Sequence, residues 1–333
     1  MRIFVQIPCL NEAETLPMTL DALPASAAGL PLEVLVIDDG STDDTAAVAE
    51  AHGVQHVVRH QQNRGLAAAF MTGLVSCVER GADIIVNLDA DNQYDAGAIE
   101  RLVQPVLDGQ ADIVVGSRPI ASIQHFSPVK KWLQFLGSSV VRALSGTPVR
   151  DAPSGFRAFS ADAALRLNVF STYTYTLETL IQAGHSNLRV LDVPVGVNPP
   201  TRSSRLIRSI PSYVRRSARD LLRTYAIYSP TSMFNLFGTA LMIPTIVLAV
   251  RYLGFHFRGE GAGHVQSVIV AGALGAAAVF MFAIGAVAHL IGINRRLLEE
   301  LRFLTRRADV ATRRENSAPE GPGADSTQAA GDE

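Results

Sequence analysis

The sequence predicts an α/β domain with a mostly parallel sheet, followed by two transmembrane helices. Three observations predict this architecture. Apolar runs rich in β-branched residues alternate with helix-like stretches, polar clusters follow those runs, and two long uncharged stretches occupy the C-terminal third. At 333 residues, the chain is long enough for one α/β domain of roughly 200 residues and a further part.

Strand-like and helix-like segments alternate through the N-terminal part. Strands are predicted at residues 3–7, 33–37, 54–59, 83–88 and 112–115. Helices are predicted at residues 12–23, 43–51, 65–79 and 96–107. This alternation favours a doubly wound sheet, in which ligands bind beyond the carboxyl ends of the strands. The residues that follow each predicted strand are therefore the candidates for function.

Polar clusters follow the first two predicted strands: Pro8-Cys9-Leu10-Asn11-Glu12 and Asp38-Asp39-Gly40-Ser41-Thr42-Asp43. Gly40 permits a sharp turn, and Ser41 or Asp43 can cap the next helix. Capping alone does not account for two adjacent carboxylates at a strand end. A carboxylate in that position can accept a hydrogen bond from a nucleobase N–H or a ribose hydroxyl.

A third cluster, Asn63-Arg64-Gly65, precedes the helix predicted at residues 65–79. The N-terminus of a helix preceded by Arg and Gly can receive a phosphate. Taken alone, the cluster is equally typical of an ordinary helix start.

The pattern Asp89-Ala90-Asp91 follows the strand predicted at residues 83–88 and is the strongest functional signal. Two carboxylates at the end of a buried strand are costly unless they are paired or bind a metal. In an extended chain alternate side chains share a face, so both can address one cation, with Gln93 again in phase. Such oxygen ligands suit Mg²⁺ bound through one or two carboxylates and substrate phosphates. The pattern therefore predicts a metal–diphosphate site.

Arginines mark three later clusters, at residues 116–118, 151–157 and 201–205. Bidentate contacts to phosphate are predicted for Arg118, Arg157, Arg202 and Arg205. For each of them, a solvated or lipid-facing side chain is the alternative interpretation.

Composition argues against some classes of protein and site. The net charge of −2 provides no positive field for nucleic acid, which is therefore not an expected partner. Cys9 and Cys77 have neither a metal-ligand spacing nor a disulfide framework, so both are predicted to be buried, reduced thiols. Reduced thiols are compatible with a cytosolic catalytic domain.

Two uncharged stretches, residues 224–250 and 261–294, exceed the length of about 20 apolar residues that a spanning helix needs. The spans are predicted at residues 232–253 and 265–293. A buried helical hairpin in a soluble domain is the alternative, but the richness in Gly and Ala favours close packing in lipid. The small residues Gly272, Gly275 and Ala276 also permit helix association, so a homo-oligomer is compatible with the sequence.

The distribution of arginines predicts how the chain is oriented in the membrane. Seven arginines lie between residues 202 and 223 and five between residues 295 and 307, whereas the connecting loop has only Arg251 and Arg258. The positive-inside rule therefore predicts an integral membrane protein with the catalytic domain and both termini in the cytoplasm.

These features divide the chain into four parts. Residues 1–205 form the predicted catalytic domain, and residues 206–230 form juxtamembrane amphipathic helices in which arginines alternate with apolar residues. Residues 231–294 contain the two spans. Residues 295–333 are predicted to form a basic helix and, from residue 308 onward, a disordered tail.

The motifs together resemble those of glycosyltransferase family 2, particularly polyprenyl-phosphate sugar transferases such as the dolichol-phosphate mannosyltransferases. The resemblance covers residues 3–205, and the paired spans extend it. The matching elements are Ile7-Pro8 with Asn11-Glu12, Ile37-Asp38-Asp39-Gly40-Ser41, Asp89-Ala90-Asp91 with Gln93, Gly116-Ser117-Arg118, and Ser154-Gly155-Phe156-Arg157. The family implies a Rossmann-like GT-A fold, inverting transfer from a UDP- or GDP-type nucleotide sugar, and Mg²⁺ or Mn²⁺.

The motifs and the resemblance together assign expected roles to individual residues. The expected nucleotide-sugar site contains Pro8, Asn11, Glu12, Asp39, Gly65 and Asp89. The expected metal ligands are Asp89, Asp91 and Gln93, and the expected catalytic residues are Asp91, Asp151 and Arg118. The expected contacts to the acceptor phosphate come from Lys131, Arg157, Arg202 and Arg205. Lys131 belongs to a lysine pair in a region where the family has an arginine.

The membrane features favour a polyprenyl phosphate, undecaprenyl or dolichyl, as the acceptor at the cytoplasmic face. The metal and nearby cations would stabilise the departing nucleoside diphosphate. A phosphate acceptor is already ionised at neutral pH, with a second pKa of about 6. It would therefore need no general base. A hydroxyl acceptor would need one, and Asp151 is then a better candidate than Glu178.

Several alternatives accompany this hypothesis. A processive polysaccharide synthase would carry a Gln-x-x-Arg-Trp motif, but the only tryptophan is Trp132 and the motif is absent. A different membrane acceptor, such as diacylglycerol or a lipid-linked saccharide, is a second enzymatic interpretation. A membrane scaffold that keeps the fold without catalysis is a third.

Overall fold

The computed structural model describes residues 1–120, 128–169, 175–199 and 210–316. Within these residues the strands are β1 (Ile3–Cys9), β2 (Ser26–Ala27), β3 (Leu30–Asp38), β4 (His56–Arg59), β5 (Ile84–Asn87), β6 (Ile113–Ser117), β7 (Arg157–Ser160) and β8 (Val190–Pro194). The α-helices are α1 (Leu16–Asp21), α2 (Thr45–Ala51), α3 (Leu66–Glu79), α4 (Ile99–Leu107), α5 (Pro128–Ser145), α6 (Ala161–Arg166), α7 (Thr176–His185), α8 (Ile210–Tyr228), α9 (Pro230–Phe257) and α10 (Val265–Asn316).

The strands form one mixed sheet in the order β2-β3-β1-β5-β7-β6-β8, with β4 paired to β3. The pairs β1–β3, β1–β5, β3–β4 and β6–β8 are parallel. Strand β7 runs antiparallel to both β5 and β6, so β5 and β6 point in the same direction. The carboxyl ends of β1, β3, β5 and β6 therefore share one edge of the sheet. The expected α/β fold is confirmed, and the antiparallel β7 makes its sheet mixed.

Buried apolar side chains cover both faces of the sheet. In β1, Phe4 belongs to a core shared with α3, α5, α6 and α7, whereas Ile3, Val5 and Ile7 belong to a core shared with α1 and α4. This alternation follows the two-residue period of a strand. Because β1 is covered on both faces, its sequence is almost continuously apolar.

Most predicted elements are present with shifted ends. Strand β4 begins two residues after the start of its predicted range of 54–59. The helix predicted at residues 12–23 is reduced to α1, and the one predicted at residues 96–107 opens with a 3₁₀ turn at Ala96–Ala98 before α4. Cys9 and Cys77 are buried and free, as predicted.

Among the described residues, two helices are long and apolar enough to cross a membrane. These segments are Pro230–Phe257 and Gly261–Arg313, and only 6% and 17% of their apolar windows are buried. Their exposed side chains include Phe237 and Ile269. A buried helical hairpin of a soluble domain would cover these side chains, so the exposure argues against that alternative.

Helix α10 continues far beyond its apolar stretch and packs on the catalytic domain. Phe303 is 3% exposed, and the guanidinium carbon of Arg166 lies 3.8 Å from its ring centroid. Arg166 also pairs with Glu300 at 3.1 Å, and Arg306 donates to the carbonyl of Leu165 at 3.2 Å. The predicted disordered tail is thus wrong for residues 308–316, because the helix that contains them docks on α6. The rest of the tail, residues 317–333, lies outside the described residues.

Candidate active site

Four loops with polar side chains meet at the carboxyl edge of the sheet. They follow β1, β3, β5 and β6, whose ends lie side by side through the pairings Cys9 with Asp38 and Gln6 with Asn87. The antiparallel strand β7 starts at the same edge, so the loop before it, with Asp151 and Gly155, joins them. The structure therefore gathers most of the predicted polar clusters.

Asn11 and Ser41 tie the loop after β1 to the loop after β3. The backbone N–H of Asn11 donates to Ser41 Oγ at 2.9 Å, and Asn11 Oδ1 accepts from the backbone N–H of Thr42 at 2.8 Å. Asn11 has φ 55°, a left-handed conformation that Asn tolerates better than most residues. Asn11 thus holds these two loops together, while Pro8 is buried inside β1.

Glu12 is fixed by hydroxyl groups on both sides. Its backbone N–H donates to Thr45 Oγ1 at 2.9 Å, and its Oε2 accepts from Thr15 Oγ1 at 2.6 Å. Burial is the main cause that raises the pKa of Asp89, and the negative charge of Glu12 contributes to the same shift.

Asp39 is the anchor of the loop that precedes α3. Its Oδ1 accepts from the backbone N–H of Arg64 at 2.9 Å, and its Oδ2 accepts from the backbone N–H of Gly65 at 2.8 Å. His60 Nδ1 lies 2.6 Å from the same Oδ1, and His60 Nε2 lies 3.0 Å from Thr72 Oγ1. The N–H of Gly65, at the start of α3, is thus already bonded to a carboxylate, which argues against a phosphate contact by this N–H.

The segment Asp89-Ala90-Asp91 is a turn rather than an extended strand, because β5 ends at Asn87. The expectation that Asp89, Asp91 and Gln93 share a strand face is therefore wrong. Gln93 nevertheless reaches Asp91, since its Nε2 donates to Asp91 Oδ2 at 2.8 Å. Burial and then the charge of Asp91 raise the pKa of Asp89 well above its ordinary value.

Gly155 leaves the space that the Asp89 carboxylate occupies. A Cβ atom on Gly155 would lie 2.8 Å from Asp89 Oδ2 and 2.9 Å from the hydroxyl of Tyr175. Asn87 Nδ2 donates to the carbonyl of Gly155 and to the hydroxyl of Tyr175, both at 2.8 Å. The tight packing explains why the loop before β7 has a glycine opposite the aspartate pair.

The aspartate pair fits a divalent cation that is also bound by substrate phosphates. Among the described residues, no group of three or more His, Cys, Asp or Glu side chains is arranged to hold a metal alone. Asp89 and Asp91 provide two carboxylates, and burial followed by the charge of Asp91 raises the pKa of Asp89, a cost that a bound cation would offset. Mg²⁺ commonly binds through one or two carboxylates plus phosphates, so the donor set fits.

Arg118 and Asp151 form a buried ion pair beside this site. Arg118 Nε donates to Asp151 Oδ2 at 2.6 Å, and its Nη2 donates to Oδ1 at 3.0 Å. Gln134 Nε2 also donates to Asp151 Oδ1, at 3.0 Å. With its oxygens bound to three donors, Asp151 is poorly suited to the general-base role considered from sequence. Glu178, the other carboxylate considered, is 3% exposed in α7.

Arg157 is a structural side chain, which corrects its expected role at the acceptor phosphate. It is 0% exposed, and its guanidinium donates to the carbonyls of Ser154 and Ala152 and to Thr179 Oγ1 at 2.7–2.9 Å. A side chain enclosed in this way cannot reach a ligand at the surface. It instead holds the loop that carries Asp151 and Gly155.

Of the other three residues expected to contact the acceptor phosphate, one lies within the described residues. Lys131 lies near the start of α5, whereas Arg202 and Arg205 lie outside the described residues. The structure adds residues that the sequence motifs did not identify. Beside Arg118, a pocket of about 280 Å³ is also lined by Ile120, Gln134, Phe135, Arg142 and Arg150. The spacing of eight residues between Gln134 and Arg142 places both on one helix face and was an available signal, but α5 had not been predicted.

Several known proteins are similar to this chain in sequence. The family model described as Glycosyl transferase family 2 matches residues 4–167. The undecaprenyl-phosphate mannosyltransferase of Micrococcus luteus is 31% identical over 209 residues, covering 59% of this chain and 83% of that protein. The polyprenol monophosphomannose synthase of Mycolicibacterium smegmatis is 27% identical over 205 residues, covering 58% and 76%.

A solved structure has a comparable fold. Glucosyl-3-phosphoglycerate synthase from Mycobacterium tuberculosis, crystallised with Mn²⁺, UDP-glucose and phosphoglyceric acid, superposes with a TM-score of 0.55 and 25% identity. The superposition covers 67% of this chain and 79% of that one. The family match at residues 4–167 includes all but the first residue of β1, strands β2 to β7 and the aspartate pair.

Proposed function

Because this chain belongs to glycosyl transferase family 2, we propose that it transfers a sugar, with inversion, from a nucleotide-diphosphate sugar to a polyprenyl phosphate. It is a glycosyltransferase with a GT-A fold, and relatives that act on polyprenyl phosphates cover most of its catalytic part. The observation that carries the proposal is the position of Asp89 and Asp91 directly after β5, against Gly155 and at the edge where the parallel strands end.

The proposed donor site uses the residues around this aspartate pair. Glu12 and Asp39 face the nucleoside side, where Asn11 and Gly65 shape the loops and Pro8 supports them from within β1. Asp89, Asp91 and Gln93 would hold Mg²⁺ or Mn²⁺, which supplies Lewis-acid stabilisation of the departing diphosphate when bound. Arg118, held in place by Asp151, would donate hydrogen bonds to the departing diphosphate through the guanidinium N–H groups that do not bind Asp151.

The proposed acceptor is ionised already, so the reaction needs no protein base. A phosphate monoester carries between one and two negative charges at neutral pH. The ion pair of Asp151 with Arg118 supports this assignment, because it leaves Asp151 committed to positioning Arg118. Any acceptor with an unionised hydroxyl would need a different base.

The membrane arrangement belongs to the same proposal. We propose that α9 and the apolar part of α10 form the two spans at residues 231–294, with the catalytic domain of residues 1–205 and both termini in the cytoplasm. The arginine distribution and helix α8 within the proposed juxtamembrane segment 206–230 support this orientation. Contacts from Lys131 to the acceptor phosphate belong to the same proposal, as do those from Arg202 and Arg205, which lie outside the described residues.

A transfer assay tests the proposal directly. Membranes containing the full chain are incubated with labelled UDP-, GDP- and dTDP-sugars, undecaprenyl or dolichyl phosphate, and Mg²⁺ or Mn²⁺. We expect a labelled polyprenyl-phosphate sugar that disappears with EDTA and in Asp91→Ala. A labelled lipid that still forms without polyprenyl phosphate would instead indicate diacylglycerol or a lipid-linked saccharide as the acceptor.

A further inference from the structure

Three arginines line the pocket beside Asp151, and they differ in how far an acidic partner neutralises them. They are Arg118, Arg142 and Arg150. Arg118 is neutralised by its two hydrogen bonds to Asp151. The pocket therefore depends on the other two arginines for any net positive charge.

Arg142 and Arg150 leave that charge largely available. Arg142 Nη2 donates to the hydroxyl of Ser139 at 3.3 Å, and within the part of the chain that the structure describes Arg142 forms no ion pair. Arg150 has an 83% exposed side chain, and its Nε lies 3.9 Å from Asp192 Oδ2. The other oxygen of Asp192 already accepts from the backbone N–H of Arg150 and from Ser117. About two positive charges thus face a pocket large enough for a phosphate.

An apolar surface begins where this cationic pocket opens. Phe135 lines the pocket and is 69% exposed. Trp132, Leu136 and Val140 are 61%, 44% and 36% exposed and lie at spacings of three, four and eight residues along α5, so they share its outer face. The combination matches a ligand with an anionic head and a long apolar tail.

We propose that Arg142 and Arg150 bind the phosphate of the acceptor lipid, and that the outer face of α5 contacts the first units of its polyprenyl tail. This inference rests on the proposed function, because it assigns the acceptor half of the same site. A phosphate monoester with a charge of about −1.5 to −2 would pair with Arg142 and with Arg150, whose contact to Asp192 is long at 3.9 Å. Arg118 interacts electrostatically with Asp89 and would then lie between the acceptor phosphate and the donor diphosphate.

Kinetics with a water-soluble acceptor test this assignment. Arg142→Gln, Arg150→Gln and the control Arg101→Gln are compared using a ten-carbon isoprenyl phosphate, with the donor that supports transfer by the unaltered protein, GDP-mannose or UDP-N-acetylglucosamine. Arg101 is an exposed residue of α4, on the opposite face of the sheet. We expect the acceptor KM to rise roughly ten- to hundredfold in each pocket variant, since each loses a charged hydrogen bond. Donor KM should stay unchanged, and Arg142→Lys should recover part of the loss.

Three results would overturn the assignment. A loss of transfer activity with long-chain lipid in vesicles, but not with the soluble acceptor, would indicate that the arginines serve general attraction to anionic membranes. A rise in donor KM with unchanged acceptor KM would assign them to the nucleotide sugar. Unchanged kinetics in Arg142→Gln and Arg150→Gln would contradict this inference and leave the proposed function standing. A lack of transfer by the unaltered protein to any polyprenyl phosphate would contradict both the inference and the proposed function.

Discussion

Arg118 and Asp151 form a bidentate ion pair, with nitrogen–oxygen distances of 2.6 and 3.0 Å, between the aspartate pair and the arginine pocket. The Asp151 side chain is 1% exposed and that of Arg118 is 16% exposed. Loss of one partner would therefore leave the other charge buried and unpaired. Asp151 accordingly acts on the site by orienting Arg118.

We expect Asp151→Asn to lower the free energy of unfolding by about 3 kcal/mol, because breaking a buried pair strands the remaining charge. The double variant Asp151→Asn with Arg118→Gln should recover most of that stability while its transferase activity stays low. Chemical denaturation of the detergent-solubilised protein measures the first effect. A stable Asp151→Asn variant with low residual activity, whose pH–activity profile lacks one ionisation of the unaltered protein, would instead support a general base.

Asp89→Asn should separate stability from activity. The raised pKa of Asp89 means that the fold disfavours its charge, so a neutral amide should raise the unfolding temperature. Metal-dependent transfer should fall roughly a hundredfold or more, as expected when charge stabilisation at the leaving group is lost. Thermal unfolding and an Mn²⁺ titration of activity check the two parts, with the exposed Asp108→Asn as control. Unchanged activity would argue against a metal role for Asp89.

Gly155→Ala should weaken metal binding without replacing a charged side chain. The added Cβ would lie 2.8 Å from Asp89 Oδ2, so the carboxylate must move. We expect the Mn²⁺ concentration for half-maximal activity to increase roughly tenfold, about 1.4 kcal/mol in binding. Gly137→Ala on α5 is a matched control, because nothing lies within 4 Å of its added Cβ. Equal behaviour of the two variants would contradict the close packing.

His60→Leu should raise the donor KM about tenfold, with a smaller effect on kcat. The substitution removes the contacts to Asp39 at 2.6 Å and to Thr72 at 3.0 Å, and it frees the loop that Asp39 anchors. His60→Gln can still reach one partner, so its donor KM should lie between those of the unaltered protein and His60→Leu. An unchanged donor KM in His60→Leu would show that Asp39 is held well enough by the N–H groups of Arg64 and Gly65.

Phe303→Ala should detach the end of α10 from the catalytic domain. Phe303 is 3% exposed and packs under Arg166, so its truncation should cost about 3 kcal/mol of stability. Its neighbour Leu304 is 51% exposed and provides the control Leu304→Ala. Faster proteolysis of residues 295–316 in the first variant alone is the expected result. Similar cleavage in both would indicate that this docking contributes little.

The sequence predicted those parts of the fold in which local pattern and tertiary packing agree. The strand at residues 3–7 was predictable because β1 is buried on both faces, and Asp89 with Asp91 was recognisable because two carboxylates at a strand end are costly. The position of Arg157 was not predictable, because its burial depends on Thr179 from a helix distant in sequence. Arg142 and Arg150 carry no motif, and only the packing of α5 brings them to Arg118.

Helix α10 is continuous, so its length sets both the distance and the rotation between the proposed span and the catalytic domain. Each residue of an α-helix adds about 1.5 Å and turns the next side chain by roughly 100°. Deleting one residue between positions 294 and 303 would therefore swing Phe303 away from Arg166, while inserting seven would nearly restore its direction about 10 Å further out. In the proposed membrane arrangement, the number of residues between the span and Phe303 therefore sets the distance of the active site from the bilayer and its orientation.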